Sequence, residues 1–156
     1  MELISVILLW LHLLAAVTWV GGIVFILYVA IPATMQAPEP AGGSLMAELA
    51  KRFGPLANYS ITVLVVTGVF LAALNGLTPG YRLSGFMGLT LSAKYALSFL
   101  MIAIHLYRGL ILAPRTARAE PSEKNALKKF SLALVKLNLA LGVTILLLGP
   151  AIHVIK

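Results

Sequence analysis

Six ionisable side chains lie inside segments that otherwise consist of apolar residues. They are three histidines and three long cations: His12, His105, His153, Lys94, Arg108 and Lys136. An ionisable group in membrane hydrocarbon costs about 2.5–3.5 kcal/mol even on the lenient insertion scale. Imidazole nitrogens bind metals, and ammonium or guanidinium groups bind anions. These residues therefore predict a cofactor, ion or partner site within a membrane.

The third apolar segment carries a polar stripe. Lys94 and His105 are eleven residues apart, or three helical turns, and Arg108 follows on the same side of the helix. All five acids lie outside the apolar segments: Glu2, Glu39, Glu48, Glu120 and Glu123. Since a buried cation needs an anionic partner, the stripe favours an anionic ligand. A haem would supply propionates to Lys94 and accept imidazole at its iron.

The first apolar segment has a second candidate face. His12 and Trp19 are seven residues apart, two helical turns, and share their face with Gly22. Trp19 lies near the middle of the segment, away from the interfacial belt where Trp usually sits. The face is typical either of a site for a flat ligand or of helix packing with His12 bonded to a neighbouring helix.

The depths of the histidines leave the ligand pairing open. From the ~1.5 Å rise per residue, His12 and His105 differ in depth by roughly 10–15 Å, which is large for two ligands of one upright haem. His153 lies on the other side of His12 from His105, nearer the membrane surface at which the chain's termini are predicted to lie. Met101 and His105, four residues apart, form an alternative soft pair for Cu(I).

Composition sets the class of protein. The 156 residues are 60% hydrophobic and 11% charged, with a mean hydropathy of +0.98, which indicates an integral membrane protein. The absence of cysteine excludes disulfides, thiolate metal sites, iron–sulfur clusters and covalently attached haem. The net charge of +7 comes from cations at segment ends. We therefore expect no nucleic-acid partner.

We predict an all-α fold in a single domain, a bundle of four transmembrane helices. The spans cover about 3–31, 55–74, 86–113 and 126–152. Pro32 and Pro114 are predicted to end the first and third spans. Ser44 to Phe53 suits a separate short helix on the membrane surface. The sequence shows no convincing internal repeat.

The cations predict the orientation. The first and third connections carry seven of them: Lys51, Arg52, Arg115, Arg118, Lys124, Lys128 and Lys129. The opposite side has only Arg82 and Lys156. The positive-inside rule then places the basic loops in the cytoplasm and both termini outside, in a cytoplasmic membrane of the bacterial type.

Two stretches resemble the first two helices of the CopD (copper resistance D) family of membrane proteins. The resemblance is carried by His12, Trp19, Gly21, Gly22, Phe25, Pro32 and Ala33, and then by Arg52, Phe53, Ser60, Thr67 and Gly68. The pattern of Lys94 with His105 is similar to HemJ, the small four-helix protoporphyrinogen oxidase that binds haem b. These resemblances imply a four-helix membrane bundle with haem b or a role in copper uptake. His12 would then be the family's first-helix histidine and Lys94 its third-helix lysine.

The leading hypothesis is a membrane protein that holds haem b and acts in electron transfer or as a small oxidoreductase. His12 is the first choice of axial ligand, followed by His105 and His153. Lys94 would pair with a propionate and Trp19 would line the ring. The lipid bilayer is one partner, and a quinone, a porphyrin or another redox partner would complete the reaction.

Two alternatives stay open at this point. The first is copper transport or copper handling with His12, Met101 and His105 as ligands. The second is a structural membrane subunit whose polar stripe contacts a partner protein. Gly21 and Gly22 would suit the face of a homodimer.

Overall fold

The computed structural model describes residues 2–38, 40–74 and 85–154, with side chains described only for 88–148 in the last range. Its α-helices are α1 (Glu2–Phe25), α2 (Ile31–Gln36), α3 (Ala41–Leu74), α4 (Gly85–Tyr107), α5 (Ala113–Arg118) and α6 (Pro121–Val154). Two π-helical turns, Ile26–Ala30 and Arg108–Leu112, join α1 to α2 and α4 to α5. The described residues contain no strand.

Four helical stretches are long and apolar enough to cross a membrane. They are Glu2–Gln36, Ala41–Leu74, Gly88–Arg118 and Pro121–Leu148. The prediction of an all-α integral membrane protein with four spans is therefore confirmed. Large apolar side chains on the outer faces stay exposed, as lipid-facing residues do; Trp10, for example, is 63% exposed.

The chain forms two compact units, Met1–Tyr81 and Arg82–Lys156. In the first unit α1 packs against α3. His12 lies beside Gly68 and Gly22 beside Phe53, so the two helices run antiparallel. The buried residues of this unit include Trp19 and Ile23 of α1 and Ala57 of α3.

In the second unit α4 packs against α6. The buried residues of α4 and the following π turn include Met101, Ile104 and Leu112. Val135 and Asn138 are buried from α6. Among the described residues of this unit, Asn138 is thus an amide side chain with only 2% exposure.

Pro32 and Pro114 do not end the helices, contrary to the prediction. Each proline follows a π turn, in which the N–H of Ile31 donates to the carbonyl of Ile26 and the N–H of Ala113 to that of Arg108. Proline has no N–H, and its ring collides with the carbonyl four residues earlier. Because the π turn shifts the bonding pattern by one residue, the helix continues past the proline.

The predicted surface helix from Ser44 to Phe53 is not a separate element. It forms the first part of α3, which continues through Pro55. The Ser44 hydroxyl donates to the Ala41 carbonyl, so Ser44 lies inside the helix and does not cap it. At ~1.5 Å per residue, the 34 residues of α3 exceed the ~30 Å of membrane hydrocarbon. The helix is therefore long enough to hold an apolar part within the hydrocarbon and a charged part outside it.

The two units repeat one plan, which the sequence did not predict. The π turns begin at Ile26 and Arg108, 82 positions apart. At the same spacing, Thr34 and Thr116 each bond back to a carbonyl of the preceding turn. Helices of equal length, 34 residues each, then complete the units. The expectation of no internal repeat was therefore wrong at the level of the fold.

Candidate functional site

His12 is held by a threonine of α3. Its Nδ1 lies 2.8 Å from Thr67 Oγ1. Thr67 is 4% exposed, and its hydroxyl lies 2.6 Å from the Val63 carbonyl oxygen. A carbonyl only accepts, so the hydroxyl donates its single proton to Val63. Thr67 Oγ1 therefore accepts a hydrogen bond from Nδ1–H of His12.

This hydrogen bond selects the tautomer of His12. A neutral imidazole that is protonated at Nδ1 carries its lone pair on Nε2. Metal-binding histidines typically donate one ring N–H to a neighbouring group, which orients the ring and makes the other nitrogen a better ligand. The His12–Thr67 pair therefore fixes the orientation of the imidazole ring between α1 and α3.

The surroundings of His12 belong to the α1–α3 interface. A Cβ built on Gly68 would lie 3.4 Å from His12 Cε1, so the imidazole rests beside the α3 backbone. Trp19 is 4% exposed and lies within the first unit. Its burial matches the helix-packing interpretation of this face.

The glycine pair next to Trp19 is divided between two environments. A Cβ on Gly22 would overlap the ring of Phe53, whereas a Cβ on Gly21 would meet nothing within 4 Å. Gly22 therefore serves contact between α1 and α3 within one chain. Of the two glycines predicted to form a dimer face, Gly21 alone has no described atom within 4 Å of a Cβ built on it.

The polar stripe of α4 is present in the second unit. Met101 is 2% exposed, and Lys94, His105 and Arg108 are half-buried. Arg108 Nε donates to Ser131 Oγ of α6 at 3.3 Å. Lys94 makes no hydrogen bond or ion pair with another described residue. Arg108 therefore lies against α6, whereas Lys94 and His105 are only partly shielded.

Asn138 is a buried polar residue that the sequence did not place among the candidate site residues. It is 2% exposed, and its Oδ1 has no hydrogen-bond partner among the described residues. An unsatisfied buried polar group costs about 1–3 kcal/mol. An amide oxygen in this state suits a cation. Met101, the other large side chain with almost no exposure, lies in the same unit.

Thr67, the hydrogen-bond partner of His12, was also not among the predicted site residues. The sequence placed it only within the family resemblance, although it repeats at helical spacing from Ser60. Both residues are buried on α3, and two hydroxyls seven residues apart in an apolar span mark one polar face. That signal could have identified the partner of His12.

The predicted site residues are distributed over both units. His12 and Trp19 belong to the first, and Lys94 and His105 to the second. Lys136 is exposed on α6, and the side chain of His153 lies outside the described residues. The described residues contain no group of three or more His, Cys, Asp or Glu side chains suited to a metal. Each unit therefore offers a single described imidazole.

The comparisons with known proteins give one result. No curated protein and no solved structure matches the chain. The sequence model of a family described as copper resistance protein D matches residues 47–152, well over half of the chain. The chain therefore belongs to the CopD, or copper resistance protein D, family.

Proposed function

We propose that this protein handles copper within the membrane, with the copper ion as cargo and His12 as a ligand. The observation that carries the proposal is the hydrogen bond between His12 and Thr67, which fixes the imidazole ring of His12 between α1 and α3. Membership of the copper resistance family favours copper as the metal.

The donor atoms suit copper better than the other common metals. Carboxylate oxygens, which Ca²⁺ and Mg²⁺ prefer, are absent from the predicted spans, and the chain has no thiolate for a structural zinc. Imidazole and thioether groups bind copper, and thioether selects Cu(I). The first unit supplies the imidazole of His12. The second unit, taken by itself, supplies Met101 and His105 on successive turns of α4 and the amide oxygen of Asn138 on α6.

The protein's own contribution is orientation and desolvation. Thr67 holds the ring of His12 in one tautomer, and Val63 holds Thr67. Trp19 and Ile23, further along α1, are buried. A metal ion at Nε2 would therefore meet a ligand that needs no reorientation.

The test is copper binding by the purified full chain in detergent. Cu(I) is titrated against a competing chelator, with metal analysis and a visible spectrum of the same sample. We expect His12→Ala to lower copper affinity more than 10–100-fold, roughly the range for loss of an outer-shell partner alone. Leu11→Ala, at an exposed neighbour in the same helix, should bind copper like the wild type.

Two results would overturn the copper proposal. One is unchanged copper affinity in His12→Ala while that variant unfolds like the wild type. The other is a Soret band in the purified protein that weakens in His12→Ala, which would support haem as the ligand of His12.

A further inference from the structure

The second unit carries a groove where α5 meets α6. It is a shallow depression, open to the surroundings, with a volume of about 490 Å³. We call it the elbow groove, and its principal lining residues are Leu110, Ile111, Pro114, Arg115, Arg118 and Glu123. The first three are apolar and the last three are charged.

The apolar and charged parts of the elbow groove follow the axis of a membrane helix. The helical stretch Gly88–Arg118 has 31 residues, or ~46 Å, whereas membrane hydrocarbon is ~30 Å thick. Leu110 and Ile111 are 73% and 56% exposed within its apolar part. Arg115 and Arg118 follow one to two turns later, at the end of the helix. This order matches an acyl chain followed by a headgroup.

Arg115 and Arg118 of the elbow groove lie in the last turn of α5. Neither Arg115 nor Arg118 forms an ion pair within the described part of the chain, although Glu123 lines the same groove. Glu123 lies in the first turn of α6, where a carboxylate stabilises the helix N-terminus. The guanidinium groups therefore remain available to an external anion.

The first unit provides an internal control. It has the same π turn, proline and threonine, but Ala33 and Gln36 stand 82 positions before Arg115 and Arg118. The fold of the elbow thus forms without the two arginines. The two arginines add basic charge to this connection of the second unit, and guanidinium groups bind phosphate bidentately.

We propose that the elbow groove binds an anionic phospholipid. Arg115 and Arg118 bind its phosphate, and one acyl chain lies along Leu110 and Ile111. Basic pockets at the membrane surface are suited to such headgroups. This site is independent of the proposed copper ligands.

The experiment measures bound lipid by native mass spectrometry of the full chain in a neutral detergent. Phosphatidylglycerol and phosphatidylcholine with the same acyl chains are titrated separately. We expect the wild type to bind one phosphatidylglycerol tightly. In Arg115→Ala/Arg118→Ala the affinity should be lower by at least about tenfold. Lys128→Ala/Lys129→Ala removes the same charge from exposed positions outside the groove, and its affinity should stay within about twofold.

Further variants keep the test decisive if the arginine variant does not fold. Glu123→Gln removes the opposing charge and should strengthen phosphatidylglycerol binding. Ala33→Arg/Gln36→Arg should create a second bound equivalent in the first unit.

Three outcomes would overturn the proposal. The first is equal loss of affinity in the two double variants, which indicates diffuse attraction. The second is equal binding of both lipids. The third is displacement of phosphatidylglycerol by an equal concentration of inorganic phosphate, which indicates a site for the free anion.

Discussion

The two units share a backbone plan and differ in what stands at equivalent positions. At the spacing of 82 residues that relates the π turns, His12 corresponds to Lys94 and Trp19 to Met101. Trp19 and Met101 are both buried, and His12 and Lys94 are both half-buried. The burial of a position therefore follows from the plan, whereas its chemistry is set separately in each unit.

The second helices extend this comparison. The helices α3 and α6 begin 80 positions apart, and their burial patterns match at a spacing of 78, where buried Ala57 and Ser60 correspond to buried Val135 and Asn138. The same spacing places Ile145 where the first unit has Thr67. The second unit thus lacks both members of the His12–Thr67 pair. An imidazole and the hydroxyl that orients it occur together in one unit and are replaced together in the other.

The largest predicted effect concerns the hydroxyl of that pair. Thr67→Val keeps the shape of the side chain but removes the acceptor of Nδ1–H, so His12 loses its fixed tautomer and orientation. We expect copper affinity to fall about 10–100-fold in the chelator competition. His12 itself is unchanged in this variant.

The matched control is Thr62→Val on the same helix. Thr62 also bonds to the carbonyl four residues earlier, but it is exposed. Both variants lose the same intrahelical hydrogen bond, so any difference reports on His12. Equal copper affinities in the two variants would contradict the role of Thr67.

The next effect tests the turn between α2 and α3. A Cβ on Gly42 would collide with the backbone carbonyl of Thr34, whereas Gly43 has open space around it. We expect Gly42→Ala to lower the free energy of unfolding by about 1–3 kcal/mol. Gly43→Ala should raise it by up to about 1 kcal/mol, since alanine favours a helix. Unfolding in detergent measures both.

This glycine also marks a difference between the units. Two residues, Ala119 and Glu120, separate α5 from α6, whereas α2 and α3 are separated by residues 37–40. Comparable losses in Gly42→Ala and Gly43→Ala would mean that the close approach of Gly42 to Thr34 does not limit the turn.

The four spans could be predicted because they depend on composition and length. The 60% hydrophobic chain can satisfy its backbone in a membrane only through helices or closed barrels, and its long apolar segments suit helices. Helix continuity past Pro32 and Pro114 could not be predicted, since it depends on π turns that have no simple residue signature. The repeat was hidden because lipid-facing positions accept almost any apolar residue, so few identities mark the equivalence of the units.

The candidate site was predicted only in part. His12 was identified because an imidazole is rare in an apolar segment. Thr67 was not, since threonine is common there and its role depends on which residue of α1 lies opposite. Asn138 shows the same difficulty, because only the structure reveals that its amide oxygen is buried without a partner among the described residues.

The smallest predicted effect compares two equivalent buried polar residues, Asn138 and Ser60. The Ser60 hydroxyl donates to the Leu56 carbonyl at 2.9 Å, whereas Asn138 Oδ1 has no described partner. Without copper, Asn138→Leu should raise the free energy of unfolding by about 1 kcal/mol, because it removes an unsatisfied group at similar volume. Ser60→Ala should leave it unchanged or lower it by up to about 1 kcal/mol.

Copper gives the Asn138 comparison its functional meaning. If the amide oxygen is kept for a cation, the gain in stability of Asn138→Leu is accompanied by weaker copper binding in the second unit. The measurement is made in a His12→Ala background, which removes the imidazole of the first unit. In that background, Asn138→Leu should lower the copper affinity below that of His12→Ala alone. A loss of stability in copper-free Asn138→Leu would show instead that the amide is satisfied, and that the two units bury polar groups for the same structural reason.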